Sequence, residues 1–174
     1  MPKDIVSGDF YWLADYDGYK YIAAADCTGH GVPGGFMSMI GNTMLNEIVK
    51  QRHEHGLGVS TSKILNSLRN NIIESLSGND DTGKSMDGMD MALCAWDTRQ
   101  NTLQYSGAFN PLILVRDHTH PAPTHKANRM NKKDDKLLYF FFFFKIPIGT
   151  YVERGRSFTQ LTFMLYPDDR IYLL

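Results

Sequence analysis

The pattern of apolar and polar residues divides the chain into strands, then two helices, then strands again. Phe10-Tyr11-Trp12-Leu13-Ala14 is rich in β-forming residues and runs into the turn signature Asp15-Tyr16-Asp17-Gly18. Tyr19 to Ala25 resumes as a strand, so residues 6–26 are predicted to form a β-hairpin. A helix is predicted over Phe36 to Val49, with Phe36, Met39, Ile40, Met44, Leu45 and Ile48 on one face at three-and-four spacing. Gly34, Gly35, Ser38 and Gly41 are small enough to let it lie close to a sheet. A second helix is predicted from Ser60-Thr61-Ser62, which are good N-cap residues, with Ile64, Leu65, Leu68, Ile72 and Leu76 as its stripe.

Beyond a polar segment at 78–88, the reading is strand after strand: Met89 to Trp96, Thr102 to Ser106, Leu112 to Val115, Leu137 to Phe144, Phe158 to Leu165 and Arg170 to Leu174. Residues 117–136, polar and rich in His, Pro, Lys, Asp and Asn, are predicted to be a flexible loop. Two adjacent helices must cover one face of an antiparallel assembly, so the fold class is α+β rather than parallel βαβ.

At 174 residues the chain is sized for a single domain, residues 1–174, with a substantial core. Its 43% hydrophobic and 21% charged residues are ordinary for a globular protein and exclude disordered or fibrous classes. A formal net charge of -1 offers no electrostatic case for nucleic acid or an anionic membrane. Cys27 and Cys94 are too few for a disulfide framework, and no run of about twenty apolar residues exists. The expectation is a soluble protein of a reducing, cytoplasmic compartment.

Candidate chemistry concentrates in Asp26-Cys27-Thr28-Gly29-His30-Gly31-Val32-Pro33-Gly34-Gly35. A carboxylate closes the run Tyr21-Ile22-Ala23-Ala24-Ala25, and a glycine-rich turn follows at once. If the hairpin forms, Asp9 and Asp26 meet at its open end and can share a divalent ion, with the Cys27 carbonyl as a third oxygen. Oxygen-only ligation suits Mg²⁺ or Mn²⁺, and a bound water then becomes a usable nucleophile. The alternative is that Asp9 caps a turn and Asp26 caps the helix entrance. His30 is placed either to orient or protonate a leaving oxygen or to pack beneath the turn. The glycines cradle an anion at a helix start or simply permit tight helix–sheet contact. Cys27 reads as a small half-buried residue or, less economically, as a nucleophile. His118, His120 and His125 sit in a Pro-rich context that reads as solvated loop, and the phenylalanine tract reads as buried strand.

Three strings carry a family resemblance: Ser7-Gly8-Asp9-Phe10-Tyr11-Trp12, the stretch Asp26 to Gly34, and Phe36-Met37-Ser38-Met39-Ile40-Gly41. Asp87-Gly88-Met89-Asp90-Met91-Ala92-Leu93, Tyr105 to Leu112, Pro147-Ile148-Gly149 and Pro167 to Leu173 follow in order. Together they resemble the metal-dependent serine/threonine protein phosphatases (PPM, type 2C), in the bacterial branch named for stage II sporulation protein E. The resemblance implies an antiparallel β-sandwich flanked by helices, with two Mn²⁺ or Mg²⁺ ions at one end and a metal-activated water attacking a phosphoserine or phosphothreonine. Asp26 would bridge the ions, Cys27 would offer its backbone carbonyl and Asp9 would ligate one ion. Substrates in that branch are small phosphorylated regulatory proteins, the anti-sigma-factor antagonists, and the domain commonly follows a sensor or receiver module.

The family pattern continues past Leu174 with an Asp-Gly segment and a later aspartate, both metal ligands. An incomplete domain is therefore expected, lacking its last strands, with a weakened two-ion site and sheet edges that invite self-association into a homo-oligomer. Two other readings stand beside phosphatase activity: a non-catalytic remnant that binds a partner, and a cysteine-dependent hydrolase using Cys27.

Overall fold

The computed structural model describes residues 7–29, 31–76, 88–123, 128–133, 135–142, 147–149 and 156–174. The chain opens with β1 (Phe10–Tyr16) and β2 (Tyr19–Cys27), joined by Asp17 and Gly18 alone. Both turn residues have positive φ, 46° and 77°, the geometry whose twist matches that of the paired strands. Pairing from Tyr16↔Tyr19 back to Phe10↔Ala25 confirms the predicted hairpin.

Helices α1 (Val32–Glu54) and α2 (Thr61–Leu76) follow, then β3 (Gly88–Asp97), β4 (Thr102–Ala108), β5 (Leu112–Asp117), β6 (Asn128–Lys133), β7 (Lys136–Phe141), β8 (Ile148–Gly149), β9 (Leu161–Met164) and β10 (Arg170–Leu173). One sheet runs β1-β2-β3-β4-β9, with β8 also pairing β3, and the other runs β10-β5-β7-β6. Every pairing is antiparallel. The fold is an α+β sandwich with both helices on one outer face, as the element order requires.

Strand β3 explains the layering. Met89, Met91, Leu93 and Ala95 point to the helices and join Leu45, Ile48, Ile64, Leu65, Leu68 and Ile72 in one core. Ala92 and Cys94 point the other way, into a second core with Leu112, Leu114, Tyr139, Phe141 and Phe163 between the sheets. A strand buried on both faces must be almost wholly apolar, which is how Met89 to Trp96 reads. No described residue of β1 or β2 belongs to the inter-sheet core, and Tyr11, Leu13 and Ile22 stay exposed there.

Three expectations need correction. Helix α1 buries Gly34, Met37, Gly41, Leu45, Ile48 and Val49, with Ile40 and Met44 packed against the core; of the predicted stripe only its first members, Phe36 and Met39, face out, 60% and 66% exposed. Its small residues set the line of closest approach: a Cβ on Gly41 would stand 2.9 Å from the Met89 side chain and 3.1 Å from that of Phe10. The stretch 117–136, expected as a loop, contains β6, which adds to the edge of the second sheet through β7. The phenylalanine strand stops at Phe141; Phe142 is 41% exposed, and Phe143 and Phe144 lie outside the described residues. Helix α2, by contrast, buries Ile64, Leu65, Leu68 and Ile72 as predicted.

Candidate metal centre

The hairpin register brings two acidic residues to one rim. Phe10 pairs with Ala25, so Asp9, one residue earlier, faces Asp26 across the open end. On the other side of β2, Asp26 pairs directly with Asp90 of β3, and Cys27 with Met89. Residues directly opposite in an antiparallel pair project to the same face of the sheet. Three carboxylates on three neighbouring chain segments therefore gather at one end of the sandwich.

Close backbone packing holds that rim. Thr28 N–H donates to the Gly88 carbonyl at 2.9 Å and its hydroxyl donates to the same oxygen at 3.0 Å. The Gly88 N–H in turn donates to Thr28 Oγ1 at 2.8 Å, so the end of β2 is clamped to the start of β3. Gly8 lies against Cys27, where an added Cβ would stand 3.0 Å from the Cys27 carbonyl oxygen. At Gly34 an added Cβ would stand 2.7 Å from the Gly29 carbonyl and 3.2 Å from Gly8 Cα. Only glycine lets the first turn of α1, the segment before β1 and the turn after β2 meet this closely.

The electrostatics are one-sided. The Asp26 carboxyl is held above the usual carboxylate range by partial burial, then by the negative charge of Asp9 and by a hydrogen bond between the two side chains. The hairpin register and this mutual repulsion together put the two side chains at one rim. Asp90 is pushed up to about 6 by burial and then by the charge of Asp26. Among the described residues no lysine or arginine contributes to either shift. Like charges crowded without a cation raise one another's proton affinity, and a divalent ion bound among them would relieve the strain.

The donor set therefore fits a hard divalent cation: carboxylate oxygens from Asp9 and Asp26, with the Cys27 carbonyl beside Gly8. Among the described residues, however, no three His, Cys, Asp or Glu side chains are arranged to hold a metal ion. The described protein presents a close pair with a third carboxylate adjoining it, not a closed cage.

The remaining candidates divide clearly. Cys27 is 3% exposed, and its thiol is pushed up to about 12 by burial, then by the charges of Asp26 and Asp9. A thiol that stays protonated at neutral pH is no nucleophile, which removes support for the cysteine-hydrolase reading. His30 lies outside the described residues, as do residues 77–87 and His125. His118 and His120 sit at the far end of β5, with His120 stacked on Tyr166 at 4.7 Å. Asp90 is the residue that reading the sequence missed as a site candidate. Its signal was present: a lone carboxylate in the otherwise apolar run Met89 to Trp96.

Residues 16–131 match the family described as Stage II sporulation protein E (SpoIIE). The chain belongs to the SpoIIE family. No curated protein matches it in sequence. Among solved structures it resembles the SiaA-PP2C domain of Pseudomonas aeruginosa, with TM-score 0.72 and 22% identity over 99% of this chain and 56% of that one. It also resembles the PP2C phosphatase domain, with a regulatory fragment, of SpoIIE from Bacillus subtilis, with TM-score 0.63 and 15% identity over 95% of this chain and 39% of that one. RsbX in complex with magnesium gives TM-score 0.56 and 11% identity, over 97% of this chain and 66% of that one. This SpoIIE-family chain thus has the PP2C-like fold and spans about half the length of the SiaA structure.

Proposed function

We propose that this domain is a metal-dependent protein phosphatase that hydrolyses phosphoserine or phosphothreonine on a small cytoplasmic regulatory protein of the anti-sigma-factor-antagonist kind. The observation that carries this reading is the meeting of Asp9 and Asp26 at the hairpin's open end, with Asp90 opposite Asp26. Membership of the SpoIIE family and the PP2C-like fold support it. Mn²⁺ or Mg²⁺ is the proposed cofactor; RsbX, of similar fold, was solved with magnesium.

Bound there, the ions would supply charge neutralisation for the phosphate and an acidified water. Asp26, flanked by Asp9 and Asp90, would hold the ions together with Asp9 and the Cys27 carbonyl. The Thr28–Gly88 clamp keeps these groups in register. His30, next along the turn, is the proposed proton donor to the leaving oxygen. In the full-length protein a sensor or receiver module would precede this domain and govern it.

The test is hydrolysis of a phosphoserine peptide with and without Mn²⁺. Activity should require the ion and fall at least roughly a hundredfold in Asp26→Asn, since metal Lewis acidity contributes several kcal/mol at the transition state. Turnover that persists in EDTA would sink the proposal.

One observation favours a second reading: no three described side chains are arranged to hold an ion. On that reading the domain is a partner-binding module that retains the phosphatase surface. It predicts no turnover at any Mn²⁺ concentration, yet saturable binding of the phosphorylated regulator.

A further inference from the structure

A cavity of about 290 Å³ opens at the end of β2 opposite Asp26, between the β1–β2 turn, the β3–β4 turn and the last turn of α1. Its lining includes Asp17, Tyr19, Arg52, His53, Gly58 and Arg99. Strand β2 separates it from the acidic rim: seven residues from Tyr19 to Asp26 span about 23 Å. The proposed dephosphorylation uses none of these side chains.

Two guanidinium groups from unrelated elements converge on this cavity. Arg52 Nη2 donates to the Leu57 carbonyl at 3.0 Å and the Gly58 carbonyl at 2.9 Å, which fixes the group against the α1–α2 loop. Those bonds use one nitrogen of the fork, and among the described residues the buried Nε has no hydrogen-bond partner. Arg99 comes from the β3–β4 turn, and its Nη2 donates to the Asp17 carbonyl at 2.6 Å. Its Nη1 stands 3.7 Å from the Asp17 carboxylate, with the two side chains 60% and 78% exposed, a loose pair of small energetic weight. The Arg99 guanidinium also lies over the Tyr19 ring, 5.9 Å from its centre.

Asp17 and Asp97 both offset part of the positive charge at Arg99. Asp97 accepts the backbone N–H groups of Arg99 at 2.9 Å and Gln100 at 3.1 Å. Among the described residues Asp17 is the one carboxylate in the lining, and its side chain is 78% exposed. His53, bonded to the Tyr21 hydroxyl at 2.8 Å and stacked on Tyr16, forms a further wall with hydrogen-bonding capacity. Satisfying carbonyls at a helix end accounts for Arg52 Nη2, but not for a second arginine arriving from another turn.

We propose that this cavity is an oxyanion site that takes a phosphate group between Arg52 and Arg99. Guanidinium forks match the spacing of phosphate oxygens, and a dianion matches two cations once Asp17 turns away. The space exceeds what phosphate alone fills, leaving room beside Tyr19 for the group that carries it. A Cβ on Gly58 would meet nothing within 4 Å, so the loop side of the cavity is open.

The experiment is an NMR titration of the whole chain in EDTA, following the His53 ring and the Arg99 Nε–H. Inorganic phosphate is compared with acetate and with potassium chloride at equal ionic strength. Phosphate should produce a saturable shift at both groups, weakened at least tenfold in Arg99→Ala. Arg99 is largely exposed, so thermal melting should show that this variant stays folded; Arg52→Lys, which keeps the charge and loses the fork, should bind at an intermediate strength. Asp26→Asn should bind phosphate as the parent does, which separates this site from the metal centre. An equal response to chloride, equal affinity for acetate, or undiminished binding in Arg99→Ala would overturn the proposal.

Discussion

Asp26 stands between two other carboxylates, Asp9 beside it and Asp90 across the β2–β3 ladder. Two of these residues were legible in the sequence, because a two-residue turn determines which positions meet at the hairpin's far end. Asp90 stands out as a lone carboxylate in an apolar run, but its meeting with Asp26 was not legible, because more than sixty residues separate the two and only the β2–β3 register joins them. The repulsion has measurable consequences. In EDTA, Asp26→Asn should raise the melting temperature, while calorimetry should show its Mn²⁺ binding abolished; a lower melting temperature in EDTA would contradict the crowding. Asp90 gives a pH dependence. Its folded pKa of about 6 lies above the ordinary carboxylate value of 3.8, so the fold favours its protonated form. Stability from this group is therefore fully present below about pH 4 and is lost as pH rises through 6. Urea midpoints in EDTA should fall between pH 4 and 7 relative to those of Asp90→Asn. A difference that is flat with pH would show that Asp90 is not perturbed.

Among the elements, α2 and α1 show what periodicity does and does not reveal. The stripe of α2 is aliphatic and single-sided, so spacing alone identifies its buried face. In α1 apolar residues occupy more than one face, and the closest contact runs along Gly34 and Gly41, which hydrophobicity does not mark. The glycines decide the rotation because a helix approaches a sheet most closely where side chains are absent. Gly34→Ala should therefore cost about 1–3 kcal/mol by forcing Cβ against the Gly29 carbonyl. Phe36→Ala, on the exposed face, should stay within roughly 0.5 kcal/mol. Urea unfolding of the two variants checks the rotation, and equal losses would refute it. Strand β6 escaped notice for a related reason: Asn and Lys suit a protected sheet edge as well as they suit a loop.

Across the whole molecule, one ion pair ties the second sheet to the turn that enters its last strand. Arg116 of β5 donates through Nε to Asp169 Oδ1 at 3.0 Å and through Nη2 to Oδ2 at 2.7 Å. It also donates to the carbonyls of Pro121 at 2.8 Å and Met164 at 2.7 Å. Both side chains of the pair are at most 3% exposed. Arg116→Ala should cost about 3–5 kcal/mol, because Asp169 is left buried and unpaired. Chemical denaturation should show Asp169→Asn recovering part of that loss in the double variant; additive losses would show the two residues uncoupled. By itself the sequence determined the hairpin, the α2 stripe, the α+β order of elements and the meeting of Asp9 with Asp26. Each depends on neighbours a few residues apart or on one tight turn, where chain geometry leaves little choice. Tertiary structure decided the rotation of α1, the arrival of Asp90, the burial of the Arg116–Asp169 pair and the convergence of Arg52 with Arg99. Those contacts join residues distant along the chain, and they follow from how layers bury their apolar faces against one another, which no local spacing encodes.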